Sequence, residues 1–205
     1  MPNLKIPAGI LLITAGLPGA GIAVIELRPA VSARMELTVE KTGLLAGKSH
    51  VFTFSQYEGT LRFDRETPAG SSVEFVIEAG TILCRDTWLS AKDLRKVQQY
   101  ALHDMLAAEN YPQIRFHSTR VTQRDAGHYD IEGILMIRDV AAPVRIDSSL
   151  TTGPGNEAVI EGSARVRLTD FGLKPAFCGA RDHRHEERDD ASFQFAGNLL
   201  HPSRR

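Results

Sequence analysis

The sequence predicts an all-β domain interrupted by one helix, folded either as an up-and-down barrel or as a sandwich. Three observations support this prediction. Apolar and polar residues alternate through one segment after another, which is typical of strands with one buried face. The period changes once, at Ser90, where apolar residues begin to recur every three or four positions. Small residues, Gly133, Gly162 and Ala164, stand at inward positions of late segments, which favours a barrel with interior room.

Five alternating segments precede the helix and cover residues 24–27, 34–40, 50–54, 58–64 and 72–78. Within 34–40, for example, Met35, Leu37 and Val39 share one face. Turn residues at 41–43 and 68–71 separate neighbouring segments. Each segment is therefore predicted to be a strand with one face in the core.

The single helix is predicted over about residues 90–108. Ser90 is a favourable N-cap residue, and Tyr111-Pro112 cannot continue a helix. The helical stripe between them consists of Leu94, Val97, Gln98, Ala101, Leu102 and Met105. Trp88 and Tyr100 belong to the same stretch and could either form a lid or anchor the helix to the barrel.

Alternation resumes after the helix, in segments 114–121, 129–138, 144–146, 158–168 and 191–195. Gly133 shares the inward parity of Ile131 and Leu135. A glycine there leaves the inner face under-filled, which suggests room for a ligand. The alternative is that it accommodates a bulky neighbour such as Phe63 or Phe116.

Composition describes an ordinary globular chain. It has 205 residues, 42% of them hydrophobic, and a formal charge of −1 from 24 basic and 25 acidic residues. The basic residues are scattered, which argues against nucleic acid as the main partner. The sequence has no apolar run long enough for a stable membrane span. No linker or repeat divides residues 24–200, so they are predicted to form one domain.

The first 23 residues differ from the rest. Met1–Ala23 carries one charge, Lys5, followed by an apolar stretch and the small residues Gly21 and Ala23. This pattern resembles a secretory signal peptide. The alternative is an apolar extension packed on the domain. A signal peptide implies a periplasmic or secreted protein, and its absence a cytoplasmic one.

Polar motifs give little support for catalysis or metal binding. Cys84 and Cys178 could pair in an oxidising compartment, or Cys84 could be a buried thiol. The run from His183 to Asp190 contains metal-competent side chains but is better explained as a solvated charged loop. No nucleophile, metalloprotease or phosphate-loop motif is present, and no inward pair of ionisable groups is expected on the strands.

The sequence resembles the YceI family of lipocalin-like, polyisoprenoid-binding proteins. Five motifs in the family's order carry the resemblance: residues 59–64, 71–77, 111–119, 133–140 with Pro143-Val144, and 169–172. Residues 86–110 are more helical than the family pattern, and residues 177–190 fit it poorly. The resemblance implies an eight-stranded antiparallel barrel, here with the inserted helix. It also implies an apolar isoprenoid or fatty lipid as ligand, and often a homodimer. It implies no catalytic residues and no cofactor.

Inward positions of the predicted strands, together with Trp88, are the candidate ligand-binding residues. They are Leu37, Val39, Phe52, Phe54, Leu61, Phe63, Phe75, Ile77, Trp88, Ile114, Phe116, Ile131, Gly133, Leu135, Val144, Ile160, Gly162, Ala164, Val166 and Leu168. Plain core packing is the alternative for each. The predicted function is carriage or sequestration of a long apolar lipid. Two alternatives remain, an enzyme acting on an apolar substrate in the same cavity and a ligand-free interaction scaffold.

Overall fold

The computed structural model describes residues 11–14, 21–29, 34–40, 48–152, 158–174 and 190–198. These residues contain twelve strands and one α-helix, α1 (Ala91–Gln99). The strands are β1 (Leu11–Thr14), β2 (Ile22–Arg28), β3 (Arg34–Glu40), β4 (Ser49–Phe54), β5 (Tyr57–Asp64), β6 (Ser72–Glu78), β7 (Ile82–Cys84), β8 (Gln113–Asp125), β9 (His128–Ile137), β10 (Val140–Thr152), β11 (Ala158–Arg167) and β12 (Asp190–Asn198).

All twelve strands belong to one antiparallel sheet with the order β1-β2-β5-β6-β8-β9-β10-β11-β12-β3-β4-β7. A single curled sheet with one inserted helix confirms the predicted barrel class and excludes the sandwich. The sheet has more segments than the eight strands expected, partly because β6 turns through a 3₁₀ turn at Ala79–Thr81 into β7. Since β7 pairs with β4, this continuous stretch of chain joins two distant positions in the sheet order.

The N-terminal hairpin extends the sheet beyond β5. Leu11 of β1 is paired with Arg28 of β2, and β2 pairs in turn with β5. The predicted boundary after Ala23 therefore falls inside β2, and processing there would remove β1. The signal peptide and the domain limits stay predictions.

The core follows the predicted alternation. Inward positions on β3 and β4, such as Leu37, Val39 and Phe52, are buried, and burying side chains of this size is the main driving force for folding. The alternation fails in β8, where the register shifts between Ser118 and Arg120. Such a bulge changes which side chains face inward. Before it the even-numbered residues Ile114 and Phe116 are buried, and after it the odd-numbered Val121 is buried.

The helix begins where the sequence predicts. The Ser90 hydroxyl accepts a hydrogen bond from the Asp93 backbone N–H at 3.2 Å. After Gln99 the chain continues as a π-helical turn, Tyr100–Met105, and Ala107 then adopts a positive φ of 47°. Val97, Ala101 and Met105 bury the inner face.

Gln98 of α1 protects the edge of the sheet. Its side-chain oxygen accepts a hydrogen bond from the Cys84 N–H at 2.7 Å, and its amide nitrogen donates to the Ile82 carbonyl at 2.8 Å. One side chain thus takes the place of a neighbouring strand for β7, the last strand in the sheet order.

Replacing Gln98 with leucine is expected to lower the free energy of unfolding by about 1 kcal/mol, because two half-buried backbone groups lose their partner. The stability of Gln98→Glu should fall between those of the wild type and Gln98→Leu. A carboxylate can accept a hydrogen bond from the Cys84 N–H but cannot donate one to the Ile82 carbonyl. Urea unfolding measures the difference, with the exposed neighbour change Gln99→Leu as control. Equal effects at positions 98 and 99 would contradict this role.

Candidate ligand cavity

Side chains from seven strands converge on one cavity. The cavity has a volume of about 40 Å³ and is partly open to solvent. Its lining belongs to β2, β5, β6, β8, β9, β10 and β11, with one residue just before β6. The lining residues are Leu27, Leu61, Phe63, Ser71, Val73, Val121, Tyr129, Ile131, Ser148, Leu150 and Ile160. This convergence shows how strongly the sheet curls.

Among the described residues of the lining there is no carboxylate, ammonium, guanidinium or imidazole. Its two serine hydroxyls already have partners within the protein. The Ser71 oxygen accepts from the Asp64 N–H at 3.0 Å, and the Ser148 hydroxyl donates to the Glu161 carbonyl at 2.9 Å. Burial raises the pKa of the Tyr129 phenol, which keeps it uncharged. The cavity therefore offers mainly apolar contact to a ligand.

Two aromatic rings stand at the rim. Phe63 and Tyr129 meet edge to face with ring centres 5.6 Å apart. Phe63 and Leu150 are partly exposed, so this end of the cavity communicates with solvent.

A second aromatic pair packs in the barrel interior outside the cavity lining. Phe75 and Phe116 stack with ring centres 5.0 Å apart. Gly59 is the register partner of Phe75, and a Cβ there would lie 2.8 Å from the Phe75 Cβ. A Cβ at Gly133 would lie 2.5 Å from the Phe116 ring. The expectation that Gly133 leaves room for a ligand is corrected accordingly, because the Phe116 ring fills that room.

Four predicted residues line this cavity, namely Leu61, Phe63, Ile131 and Ile160. Fourteen others are buried but lie outside its lining: Leu37, Val39, Phe52, Phe54, Phe75, Ile77, Ile114, Phe116, Gly133, Leu135, Gly162, Ala164, Val166 and Leu168. Val144 is half-buried beside an outer groove that contains Arg165 and Arg167. That any of these residues contacts a ligand stays a prediction.

Several residues that line the cavity were not among the candidates predicted from the sequence, for identifiable reasons. Val73 has the same parity as Phe75, and this signal could have found it. Val121 is hidden by the bulge in β8. Ser148 and Leu150 lie in the second half of β10, where polar residues interrupt the apolar alternation.

Trp88 lies away from the cavity. Its ring stacks on the imidazole of His50 at 5.4 Å, and its Nε1–H donates to the Ser49 carbonyl at 3.1 Å. The Lys48 ammonium stands 4.7 Å from the centre of the same ring. Trp88 thus anchors the segment before α1 to β4, as in the second of the two explanations above. No residue of α1 lines the cavity either.

Beneath Trp88 lies a buried pair of ionisable groups, formed by His50 on β4 and Asp86 in the segment after β7, so the pair is not one between two strands. His50 Nδ1 contacts Asp86 Oδ2, and Asp86 Oδ1 accepts from the Val51 N–H at 2.8 Å. Burial tends to raise the pKa of Asp86, but hydrogen bonds from His50, Val51 and Cys84 outweigh it and hold that pKa below its usual value. His50 Nε2 is buried without a hydrogen-bond partner in the described part of the chain. The pair is outside the cavity lining.

The buried phenol of Tyr57 links the stability of the fold to pH. Tyr57 is 5% exposed, its hydroxyl has no partner among the described residues, and burial raises its pKa to about 12. The phenol ionises in the unfolded state above a pKa of about 10 but stays uncharged in the folded state up to about 12, so the free energy of unfolding falls as the pH rises between these values.

Tyr57→Phe is therefore expected to raise the free energy of unfolding at pH 7 by about 1 kcal/mol, since it removes an unsatisfied polar group. Between pH 10 and about pH 12 the variant should lose less stability than the wild type, because it has no phenol to ionise in the unfolded state. Denaturant unfolding at neutral and alkaline pH measures both effects. Tyr111→Phe, at a half-buried position, is the control. Parallel pH profiles for Tyr57→Phe and the wild type would contradict the explanation.

Metal ligands and membrane helices are not evident in the described regions. No group of three or more His, Cys, Asp or Glu side chains there could hold a metal ion. The His183–Asp190 run is outside these regions except for the backbone of its last residue, and Cys178 is outside them entirely. None of the described helices is long and apolar enough to cross a bilayer.

Comparison with known proteins agrees with this architecture. The model of the YceI-like domain matches residues 30–188, which is more than half of the chain. The chain belongs to the YceI-like family. A protein named YceI from Escherichia coli O157:H7 is 30% identical over 128 residues, which cover 60% of this chain and 62% of that protein. The chain thus spans less than two thirds of this relative's length.

Two solved structures share the family fold. BcnA from Burkholderia cenocepacia superposes with a TM-score of 0.61 and 17% identity, over 80% of this chain and 94% of BcnA. A polyisoprenoid binding domain from Saccharophagus degradans superposes with a TM-score of 0.51 and 10% identity, over 83% and 95% of the two chains. At these identities the similarity concerns the fold alone.

Proposed function

We propose that this YceI-like domain binds a long apolar lipid, of isoprenoid or fatty type, in the cavity formed by the seven strands. The observation that carries the proposal is the lining itself. Its described residues include no carboxylate, ammonium, guanidinium or imidazole, and their serine hydroxyls already have protein partners. Transfer of the ligand from water into the cavity would make the binding free energy more favourable by about 0.8 kcal/mol for each buried methylene group.

Family membership supports this class of ligand. The family match covers most of the barrel, and one structural neighbour is a polyisoprenoid binding domain. Binding is favoured over catalysis because the buried His50–Asp86 pair does not line the cavity. An enzyme acting inside the cavity would need reactive groups there, and the only polar side-chain groups on the described lining residues are hydroxyls.

Export and self-association are further parts of the proposal. If Met1–Ala23 is a signal peptide, the mature protein acts in the periplasm or outside the cell. N-terminal sequencing of protein recovered from the host tests this, because an N-terminus at Met1 would contradict processing. A homodimer stays a prediction from the family resemblance, and sedimentation analysis tests it.

Organic extraction of the protein purified from its host tests the binding proposal. Mass spectrometry of the extract is expected to find an apolar lipid in near-stoichiometric amount. Denatured protein taken through the same procedure controls for lipid carried along nonspecifically. Absence of lipid from the native sample, together with no binding of added prenols or fatty acids, would contradict the proposal.

A further inference from the structure

The pairing between β10 and β11 stops before the two strands do. Their shared register ends at Ile146 and Ala164. Beyond that point residues 140–145 of β10 are paired with β9, and residues 165–167 of β11 are paired with β12. The wall of the barrel therefore has a gap between these two stretches, where neighbouring strands share no backbone ladder.

Pro143 of β10 explains this gap. It is paired with Ile134 of β9, and a proline fits a paired strand only where its nitrogen faces away from the partner. The nitrogen of Pro143 is thus directed toward β11, where it has no hydrogen to donate. On the other side, β11 ends and the chain forms a 3₁₀ turn, Leu168–Phe171, which borders the gap.

An outer groove with a volume of about 180 Å³ lies at the gap. Val144, Val166 and Phe171 give it an apolar base, and the latter two are only 6% and 2% exposed. Arg165 and Arg167 also line the groove, and both are exposed. Because the ladder is open here, side chains of both faces of the sheet reach one groove, which is apolar at its base and basic at its rim.

The basic rim carries one charge without a counter-ion in the described part of the chain. Arg167 Nε donates to Asp170 at 3.2 Å, and Arg145 on the neighbouring strand donates to Asp130 at 2.6 Å. Arg165 makes no hydrogen bond or ion pair with any described residue. A guanidinium group presents paired donors that match the two oxygens of a carboxylate.

We propose that this outer groove binds the head of a monoanionic amphiphile, an acyl carboxylate. Its carboxylate would lie on Arg165, and the first carbons of its chain on Val144, Val166 and Phe171. The groove is smaller than the about 300–1,000 Å³ of sites that enclose a whole drug-sized ligand, so the rest of the chain would stay outside. No described residue lines both this groove and the seven-strand cavity, so the groove is a second site.

Calorimetric titration of the full chain at pH 7 tests this site with octanoate, 1-octanol and acetate. The background is Leu150→Trp, which fills the seven-strand cavity and leaves the groove unchanged. Octanoate should bind at least about tenfold more tightly than octanol, which cannot form a charged pair with Arg165. It should also exceed acetate by at least about tenfold, because acetate has no chain to bury.

Substitutions in the groove separate the roles of charge and apolar contact. Arg165→Gln should weaken octanoate binding by at least about tenfold and leave octanol unchanged. Val144→Trp should fill the groove and weaken binding of octanoate to a similar extent. Arg62→Gln, at an exposed arginine on β5 outside the groove, is the matched control and should bind octanoate as the background does.

Three results would overturn the inference. The first is undetectable octanoate binding, or equal affinities in Arg165→Gln and Arg62→Gln. The second is acetate binding as tight as that of octanoate, which would indicate a site for small anions only. The third is octanoate binding that is lost in Leu150→Trp but kept in Val144→Trp, which would place the ligand in the seven-strand cavity and leave the proposed function intact.

Discussion

Replacing Asp86 with alanine is expected to lower the free energy of unfolding by about 3–5 kcal/mol, the usual cost of leaving one member of a buried pair of ionisable groups without its partner. The side chains of His50 and Asp86 are 1% and 0% exposed, so water cannot take the place of the lost partner. Asp86 also accepts the Val51 N–H, which would lose its bond. Chemical unfolding at pH 7 measures the effect.

The double variant His50→Leu with Asp86→Leu tests whether the stability loss in Asp86→Ala comes from the unpaired polar group or from lost packing. Because it removes both polar side chains, it should recover the part of the loss that comes from the unpaired His50, while the Val51 N–H stays without its acceptor. If the double variant is as unstable as Asp86→Ala, the loss comes from packing and the pairing explanation is wrong.

Acidification should reproduce part of the same loss in the wild type. The pKa of Asp86 is lowered in the folded state, so its contribution is present above the ordinary carboxyl value of about 4 and disappears as the pH falls through the folded value. The stability difference between wild type and Asp86→Ala should therefore shrink below about pH 4. A constant difference down to pH 2 would contradict this linkage.

Gly133→Ala is expected to lower the free energy of unfolding by about 2–3 kcal/mol, because an overfilled core must shift its backbone or side chains. The new Cβ would lie 2.5 Å from the Phe116 ring and would also collide with the His117 carbonyl. Thermal and urea unfolding measure the loss. Gly80→Ala is the control, since its Cβ would meet nothing within 4 Å.

A second substitution tests the cause of this loss. Phe116→Leu in the Gly133→Ala background should recover only part of the stability, because the contact with the His117 carbonyl remains. Strictly additive losses would mean that the ring and the glycine do not interact.

The sequence predicts most of the fold because the wall of a barrel has one buried face. Strict alternation in β3 and β4 follows directly from that burial, and Ser90 marks the helix through its capping hydrogen bond. Gly133 shows where such prediction ends. The sequence alone does not distinguish a small inward residue that borders a cavity from one that makes room for an aromatic ring. Only the packing in three dimensions, which brings the Phe116 ring against Gly133, distinguishes the two.

Long-range pairing explains the other differences. His50 and Asp86 lie 36 positions apart, and neither residue belongs to a motif that would connect them. They meet because β6 turns into β7, which pairs with β4. The lining of the cavity likewise depends on how the strands are aligned, which the alternation of apolar residues does not determine.

Farnesol binding to two tryptophan variants on β10 tests the central claim most directly. Leu150 lines the rim of the cavity, whereas its neighbour Thr151 faces solvent. Leu150→Trp should fill the entrance and reduce farnesol affinity by at least about tenfold, equivalent to the loss of about two buried methylene groups. Thr151→Trp should bind as the wild type does. Equal affinities in the two variants, with both correctly folded by circular dichroism, would contradict binding in this cavity.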